Sequence, residues 1–323
     1  MSGPRTMLSL AEAYLAERRR LGFRLAQSGS LTLAFARFAD ASAHKGPLTA
    51  DIVLRWAKEQ AQHADPFTWA GRVAVLKPFA RYLADGDPAT AFPEGSPFGR
   101  AHRRLAPHIY TPAEVGSLLA AAGRLPPAGG LLPATFKTLF GLLAATGLRI
   151  SEALRLRCGD VDNEDDQGHL TIRHAKFQRS RLVPLHPTTS EALRAYLRVR
   201  AKYGPMDAAA PFFLSEKTGD ALRYCDVRSV FLRLSAELGI VARGGHRVIR
   251  VHDLRHSFIC RRLLLWQERG ADLGNAMMAL STYVGHVNAA DTYWYLEAVP
   301  DLMALAGDRF EAFDAKKGEA RHG

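Results

Sequence analysis

The chain has 323 residues, of which 47% are hydrophobic, so it can form two domains that each bury a core. A net charge of +11 favours a polyanionic partner, either nucleic acid or an acidic membrane face. No apolar run reaches the roughly 20 residues of a spanning helix, and the N-terminus lacks the apolar core of a signal peptide. Three scattered cysteines argue against a disulfide framework, so we expect a cytoplasmic protein with no membrane partner.

Apolar residues repeat at helical spacing in four stretches of the first hundred residues. Turn clusters separate the stretches, at residues 46–47, 65–66 and 86–88. The pattern predicts four helices, which would form a small bundle over residues 1–92. The residues at helical spacing are Leu10, Tyr14 and Leu15 with the basic Arg18, then Leu31, Phe35 and Phe38, then Val53, Trp56 and Ala57, and then Val75, Phe79, Tyr82 and Leu83.

Proline and glycine interrupt the helical pattern over residues 92–97, and a basic run follows at once. This composition predicts an interdomain linker over residues 93–108. Its cations would suit a position across a phosphate backbone, where guanidinium groups bind well. The linker residues expected to bind DNA are Arg100, Arg103 and Arg104.

A second domain is predicted over residues 109–313, with a mobile tail at 314–323. Its first helix should begin at the capping box Thr111-Pro112-Ala113-Glu114, and Gly147 should end a strongly apolar helix. The remaining predicted elements are a short helix from Ile150, a strand at Leu170 and Ile172, its partner at 182–185 with Pro184 limited to a sheet edge, a helix capped by Thr188 and Glu191, a helix over Val227–Leu234, and helices near 253–268, 272–282 and 289–297. The expected fold class is mainly α with a small antiparallel β-sheet (α+β).

Side chains in the second domain match the needs of phosphodiester cleavage without a metal. The phosphate gains negative charge in the transition state, and arginine holds its oxygens best because the guanidinium is planar and always charged. The reaction also needs a nucleophile and an acid that protonates the leaving oxygen. The candidates are Arg149, Lys176, His252, Arg255, His286 and Tyr295.

Most of these candidates have a plainer interpretation when taken alone. Arg149 could form a structural salt bridge, His286 could cap a helix, and Tyr295 could be an ordinary core aromatic. Lys176 could be a solvated hairpin tip, where Arg179 and Arg181 would compete for any role.

His252 and His256 lie four residues apart on one predicted helix face, which is a spacing that metal sites use. No glutamate lies between them, and no acidic pair lies nearby to complete the ligand set. We therefore expect no metal and no other cofactor.

In this order, the motifs resemble the signature of the tyrosine recombinases, or phage-type integrases. That signature is a Gly-Leu-Arg-x-Ser-Glu box, a hairpin lysine, a His-x-x-Arg box, a Gly-His pair and a tyrosine. The resemblance covers residues from about Thr111 to Leu305, and residues 291–296 look most like integrases of bacterial transposable elements. The matching positions are Gly147–Glu152, Lys176, His252–His256, Gly285-His286 and Tyr295.

The resemblance implies a site-specific DNA recombinase in which a helical core-binding domain, 1–92, and a catalytic domain, 109–313, clamp double-stranded DNA. It implies that the 3′-phosphotyrosyl bond conserves the phosphodiester's energy, so that rejoining needs neither ATP nor a metal. The implied roles are phosphate binding by Arg149, Arg255 and His286, protonation of the leaving 5′ oxygen by Lys176, assistance by His252, and nucleophilic attack by Tyr295, with Tyr293 as its neighbouring rival.

Such an enzyme is expected to work as a homotetramer on DNA, to be a monomer when free, and to associate with the nucleoid. The hairpin arginines Arg179 and Arg181 join the residues expected to bind DNA. Two other functions stay open: a DNA-binding accessory protein of the same fold without turnover, and a type IB topoisomerase. A protein that only binds DNA would have no use for Tyr295, and the N-terminal helical domain favours the recombinase.

Overall fold

The computed structural model describes residues 6–61, 65–101, 105–162, 168–173, 180–286, 288, 291–292 and 294–295. Two compact units make up the chain, Met1–Arg104 and Leu105–Gly323. The predicted domain limits, with a linker at 93–108, stay a prediction. Within the described ranges, no helix has both the length and the apolar character needed to cross a bilayer.

The first unit contains the four predicted helices, and their apolar faces share one core. Phe35 and Trp56 meet there edge to face, with ring centroids 5.5 Å apart. Asp40 holds the start of the first helix, because its carboxylate accepts hydrogen bonds from the amides of Met7 (2.9 Å) and Leu8 (3.0 Å). The helices are α1 (Met7–Arg20), α2 (Ala26–Ala41), α3 (Ala50–Glu59) and α4 (Pro66–Gly86).

The second unit is mainly helical with one small sheet, so the predicted α+β fold class is confirmed. One of its helices, Leu131–Thr146, is apolar enough to be buried along most of its length. The described elements are α5 (Pro112–Gly123), α6 (Leu131–Thr146), α7 (Ile150–Ala153), β1 (Val161–Asp162), β2 (His169–Ile172), β3 (Arg181–Pro184), α8 (Pro187–Arg200), α9 (Tyr224–Glu237), α10 (Asp253–Glu268) and α11 (Leu273–Val284).

The sheet is antiparallel in the order β1-β2-β3, with Leu170 opposite Val183. Pro184 therefore lies on an edge strand, as predicted, where a missing N–H leaves no ladder bond unmade. β1 was not predicted, because a strand of two residues is too short to show alternation.

The starts of α5 and α8 test the two predicted helix caps. The capping box at Thr111 is confirmed, since its Oγ1 accepts from the Glu114 amide (3.1 Å) and Glu114 accepts from the Thr111 amide (2.9 Å). The predicted cap at Thr188 is wrong. α8 begins at Pro187, whose fixed φ suits a first helical position, and His186 is the cap.

Gly147 ends α6 in the left-handed region, with φ +62°, where side chains with a Cβ are strained. A Cβ at this position would also lie 2.4 Å from Cδ1 of Phe258, which packs against the turn from α10. Both the φ angle and the close approach therefore require glycine here.

We expect Gly147→Ala to lower the free energy of unfolding by about 3 kcal/mol, from left-handed strain and displacement of Phe258. Urea denaturation measures the change. The matched control is Gly116→Ala in α5, where nothing lies within 4 Å of the new Cβ and the backbone is helical. That variant should raise the free energy of unfolding by up to about 1 kcal/mol. Equal stabilities of the two variants would contradict the interpretation of Gly147.

Candidate active site

Arg149 occupies the junction between α6 and α7, where one helix stops and the next begins a few residues later. Its backbone is extended at the N-cap position of α7. The guanidinium donates from Nη1 to Glu152 Oε1 (3.0 Å) and from Nη2 to the Gly285 carbonyl (2.8 Å). The side chain is 26% exposed, so it stays accessible to solvent.

Arg255 lies in the first turn of α10, and only 2% of its surface is exposed. It donates from Nη1 to the Gly147 carbonyl (2.6 Å) and from Nη2 to the Val284 carbonyl (2.8 Å). These two bonds use two of the five N–H groups of a guanidinium. Arg255 thereby joins the C-terminal end of α6 to that of α11.

Glu152 is the buried acid of the site, at 7% exposure. Arg181 binds it with both Nη atoms, at 3.0 and 2.9 Å, and the Arg149 amide donates to Oε2 at 2.9 Å. Burial raises its pKa, but the hydrogen bonds and charge of Arg181 and the hydrogen bond from Arg149 prevail, so the pKa falls to about 2. Arg181 also donates to the Tyr283 carbonyl at 3.0 Å, which anchors β3 to α11.

The charge around Arg255 is incompletely balanced. Among the described residues, no carboxylate lies within ion-pair distance of its guanidinium, and its hydrogen bonds to Gly147 and Val284 go to carbonyls. Burial first, and then the charge of Arg149, lower its pKa to about 10, so it stays cationic at neutral pH. An anion placed beside the two arginines would relieve their repulsion.

His286 follows Gly285, the left-handed cap of α11 (φ +71°). Its Nδ1 lies 2.7 Å from Thr292 Oγ1, and the same oxygen lies 2.6 Å from Ser281 Oγ. Burial, Arg255 and Arg149, in that order, lower the His286 pKa to about 3. The imidazole is therefore neutral at physiological pH and oriented by a buried hydroxyl pair.

Tyr295 is buried, at 3% exposure, with its ring parallel to that of His286 (9° between planes, centroids 6.4 Å apart). Its hydroxyl oxygen lies 2.6 Å from Nδ1 of His256. The tyrosine therefore lies next to His286 and is directly hydrogen-bonded to a second histidine.

His252 is the residue before α10, and its ring meets that of His256 edge to face, with centroids 4.7 Å apart. Burial first, and then Arg255 and Arg250, lower its pKa to about 4. Within the described ranges, no three His, Cys, Asp or Glu side chains are grouped closely enough to hold a metal ion.

The contacts thus bring together five of the six predicted catalytic residues, which come from four separate stretches of the chain. Arg181 lies beside these residues because it binds Glu152. Arg100 is exposed and belongs to the first unit. Any DNA contact by these two arginines stays a prediction. The predicted residues that lie outside the described part are Arg103, Arg104, Lys176, Arg179 and Tyr293.

Sequence reasoning gave no role to Glu152, Thr292 or His256. Glu152 and His256 stand inside the recognised boxes, so their positions were a signal, but only the fold shows what they touch. Thr292 had no signal, because a threonine three residues before a tyrosine has many ordinary explanations.

Residues 109–300 match the model of the phage integrase family, which is more than half of the chain. The chain therefore belongs to the phage integrase family, the tyrosine recombinases, and this confirms the resemblance and the recombinase class. It is 37% identical to the integrase/recombinase y4rB of Sinorhizobium fredii over 309 residues, which cover 95% of this chain and 97% of the relative. It is 33% identical to tyrosine recombinase XerD of Mycobacterium leprae over 71% of this chain and 69% of that one.

Solved recombinases share the fold. The XerH site-specific recombinase bound to a palindromic difH substrate superposes with a TM-score of 0.64 at 18% identity, over 88% of this chain and 79% of that one. The Tn1549 transposon integrase in complex with transposon right end DNA superposes with a TM-score of 0.63 at 19% identity, over 95% of this chain and 100% of that one. At such identities the likeness establishes the fold alone, so the transposon branch stays a prediction.

The buried ion pair makes a prediction about acid stability. Glu152→Gln leaves Arg181 without its carboxylate and should lower the free energy of unfolding by about 3 kcal/mol at pH 7. Because the folded pKa of about 2 lies below the ordinary value of 4.5, this stability is fully present above about 4.5. It is lost as the pH falls from there towards 2.

Urea denaturation across pH 7 to 3 measures the difference between the two proteins, which should stay constant to about pH 5 and then shrink. Glu191→Gln in α8 is the matched control, because this carboxylate is exposed. It should change stability by less than about 0.5 kcal/mol. A pH-independent difference for Glu152→Gln would contradict the assigned ionisation.

Proposed function

We propose that the chain is a site-specific recombinase that cleaves and rejoins double-stranded DNA through a 3′-phosphotyrosyl bond at Tyr295. One observation carries the proposal: Arg149, Arg255, His286 and Tyr295, which come from separate stretches of the chain, meet where the ends of α6 and α11 are joined. The family membership supports it. So do solved relatives of the same fold whose complexes contain DNA.

The proposed phosphate site is the space beside the two arginines. Arg149 and Arg255 would hold the non-bridging oxygens. The phosphate charge would offset the two effects, burial and then repulsion by Arg149, that lower the Arg255 pKa. His286 is neutral, and its Nδ1 is engaged by Thr292. When Nδ1 accepts the threonine hydrogen, Nε2 carries the imidazole hydrogen and can donate it to a phosphate oxygen.

The proposed chemistry is a transesterification. The oxygen of Tyr295 forms a bond to phosphorus and releases its hydrogen to solvent as a proton. At the same time the bond from phosphorus to the 5′ oxygen breaks, and Lys176 gives that oxygen a proton. His252 would assist proton transfer. One phosphodiester replaces another, so a 5′ hydroxyl from a second duplex can reverse the step without ATP. The fixed cations would stabilise the charge on the phosphate that a metal ion stabilises in other enzymes.

The proposed assembly has three parts: residues 1–92 as a core-binding domain, 93–108 as a basic linker, and 109–313 as the catalytic domain. Two DNA duplexes require several protomers, so a homotetramer on DNA is the proposed working form. The linker cations Arg100, Arg103 and Arg104 would lie along phosphates, where each lost contact should weaken binding about equally across sequences.

The nucleophile can be tested with DNA of randomised sequence. Nicked duplexes with a randomised core are incubated with the protein in excess EDTA, and covalent adducts are recovered after denaturation. Tyr295→Phe removes one hydroxyl and should abolish the adduct while DNA binding persists. Tyr293→Phe is the matched control and should form the adduct.

Peptide mapping of the recovered adduct identifies the modified residue. An adduct on Tyr293 would overturn the assignment, and a strict need for a divalent ion would overturn the metal-free mechanism. The recovered sequences then allow a plasmid test, in which joining of two plasmids indicates a recombinase. Relaxation of a supercoiled plasmid without joining of two plasmids would indicate a topoisomerase. Absence of any covalent adduct would indicate a protein that only binds DNA.

The general acid can be tested by changing the leaving group. A 5′-bridging sulfur leaves as a thiolate and needs no proton. Lys176→Ala should therefore lose about 10²–10⁴-fold in cleavage rate on ordinary DNA, and recover most of it on the sulfur substrate. Arg149→Ala should be slow on both substrates, because the phosphate still lacks its cation.

The hairpin arginines are the controls for this experiment. Arg181→Ala removes both hydrogen bonds from Arg181 to the buried Glu152, so it should be slow on both substrates. Sulfur rescue of Arg179→Ala in place of Lys176→Ala would mean that the acid is a neighbouring residue. If the sulfur substrate rescues none of the variants Lys176→Ala, Arg179→Ala and Arg181→Ala, the general acid does not lie on the hairpin. His252 is then the next residue to test.

A further inference from the structure

His256 has no part in the chemistry proposed above, yet its imidazole contacts the hydroxyl of the proposed nucleophile. Its Nδ1 lies 2.6 Å from the Tyr295 hydroxyl oxygen, across 39 residues of sequence. The distance is at the short end for a hydrogen bond between such groups. The two side chains are therefore directly coupled at the atom that the proposed reaction uses.

Neighbouring rings fix the imidazole in place. His252 approaches it edge to face with centroids 4.7 Å apart, and Trp294 does so at 6.2 Å. α10 itself is held by the buried residues that follow His256, and these pack in one cluster with Tyr295. A hydrogen-bonding group on a packed helix is held more rigidly than one on a loop, and orientation of a nucleophile requires such rigidity.

We propose that His256 is a positioning residue for the nucleophile, and that its Nδ1 holds the Tyr295 hydroxyl in the orientation from which the oxygen attacks the phosphate. The inference rests on the proposed function, which makes Tyr295 the nucleophile. A hydroxyl whose hydrogen points at Nδ1 has its lone pairs directed elsewhere, and these are the electrons that bond to phosphorus.

The electrostatics favour positioning over proton storage. Burial first, and then His252, Arg250, Arg255 and His246, lower the His256 pKa to about 2. The imidazole is therefore neutral and can accept a hydrogen bond, but burial and the nearby arginines oppose its protonation. His256 should thus add no ionisation of its own to the pH profile of cleavage.

Two substitutions separate the hydrogen bond from the ring. In His256→Asn the side-chain amide places a hydrogen-bonding atom close to the former Nδ1, without a titratable group. In His256→Leu the volume is kept but no hydrogen bond is possible. His186→Asn is the matched control, because His186 caps α8 outside the site and asparagine is also a good cap.

The rate of single-turnover adduct formation is measured at saturating DNA, using the sequences recovered from the randomised duplexes. His256→Leu should be slower by about 10²-fold, the scale expected when a reacting group is misplaced by about 1 Å. His256→Asn should stay within about tenfold of the parent protein, since the bond itself contributes about 1 kcal/mol. DNA affinity and the pH profile should be unchanged in both.

A second measurement needs no DNA. Tyrosine labelled with ¹³C at Cζ reports the hydrogen bonding of each phenol by NMR, and the Tyr295 signal is the one that Tyr295→Phe removes. It should shift in His256→Leu and return towards its original position in His256→Asn. If His256→Leu does not fold, as thermal unfolding would show, His256→Ala takes its place.

The outcomes are distinct. Parent-like cleavage by His256→Leu, or an unmoved Tyr295 signal, would overturn the inference. Equal slowness of His256→Asn and His256→Leu would overturn it too, and would make His256 a proton acceptor. Failure of the proposed function itself looks different, because the parent protein would then form no adduct on Tyr295.

Discussion

The burial of the Glu152 carboxylate is the constraint on which the rest of the site depends. A lone buried carboxylate is costly, so it must be surrounded by donors, and the donors come from Arg149 and from Arg181. Arg181 then reaches Tyr283, so one acid connects the α6–α7 junction, the edge strand β3 and α11. The interaction therefore fixes the relative positions of three elements.

The ends of two helices supply the other half of the framework. The last carbonyls of a helix lack partners within it and carry a partial negative charge. At the ends of α6 and α11, left-handed glycines stop the helix, and the carbonyls of Gly147, Val284 and Gly285 accept hydrogen bonds from Arg149 and Arg255. The same turns that end the helices thus hold the two cations in place.

The electrostatic character of the site follows from this arrangement. Burial, and after it the positive charge of nearby arginines, lowers the pKa values of His252, His256 and His286 and keeps these histidines neutral. The neutral imidazoles of His256 and His286 then serve as fixed hydrogen-bonding groups. In the proposed function, such a site would receive the single negative charge of a phosphodiester. Preorganised donors of this kind need little rearrangement when charge develops.

The sequence by itself determined the elements whose signals are local. The helix stop at Gly147 and the edge position of Pro184 depend on one residue's own φ or missing N–H, and the apolar periodicity gave the helices and the fold class. The recognised boxes also gave the family, because residue types and order are preserved in the sequence. Only the tertiary structure decided what the buried polar groups touch: that Glu152 pairs with Arg181 and that His256 contacts the tyrosine hydroxyl. A hydrogen bond spanning 39 residues depends on how helices pack, and no local pattern encodes that distance.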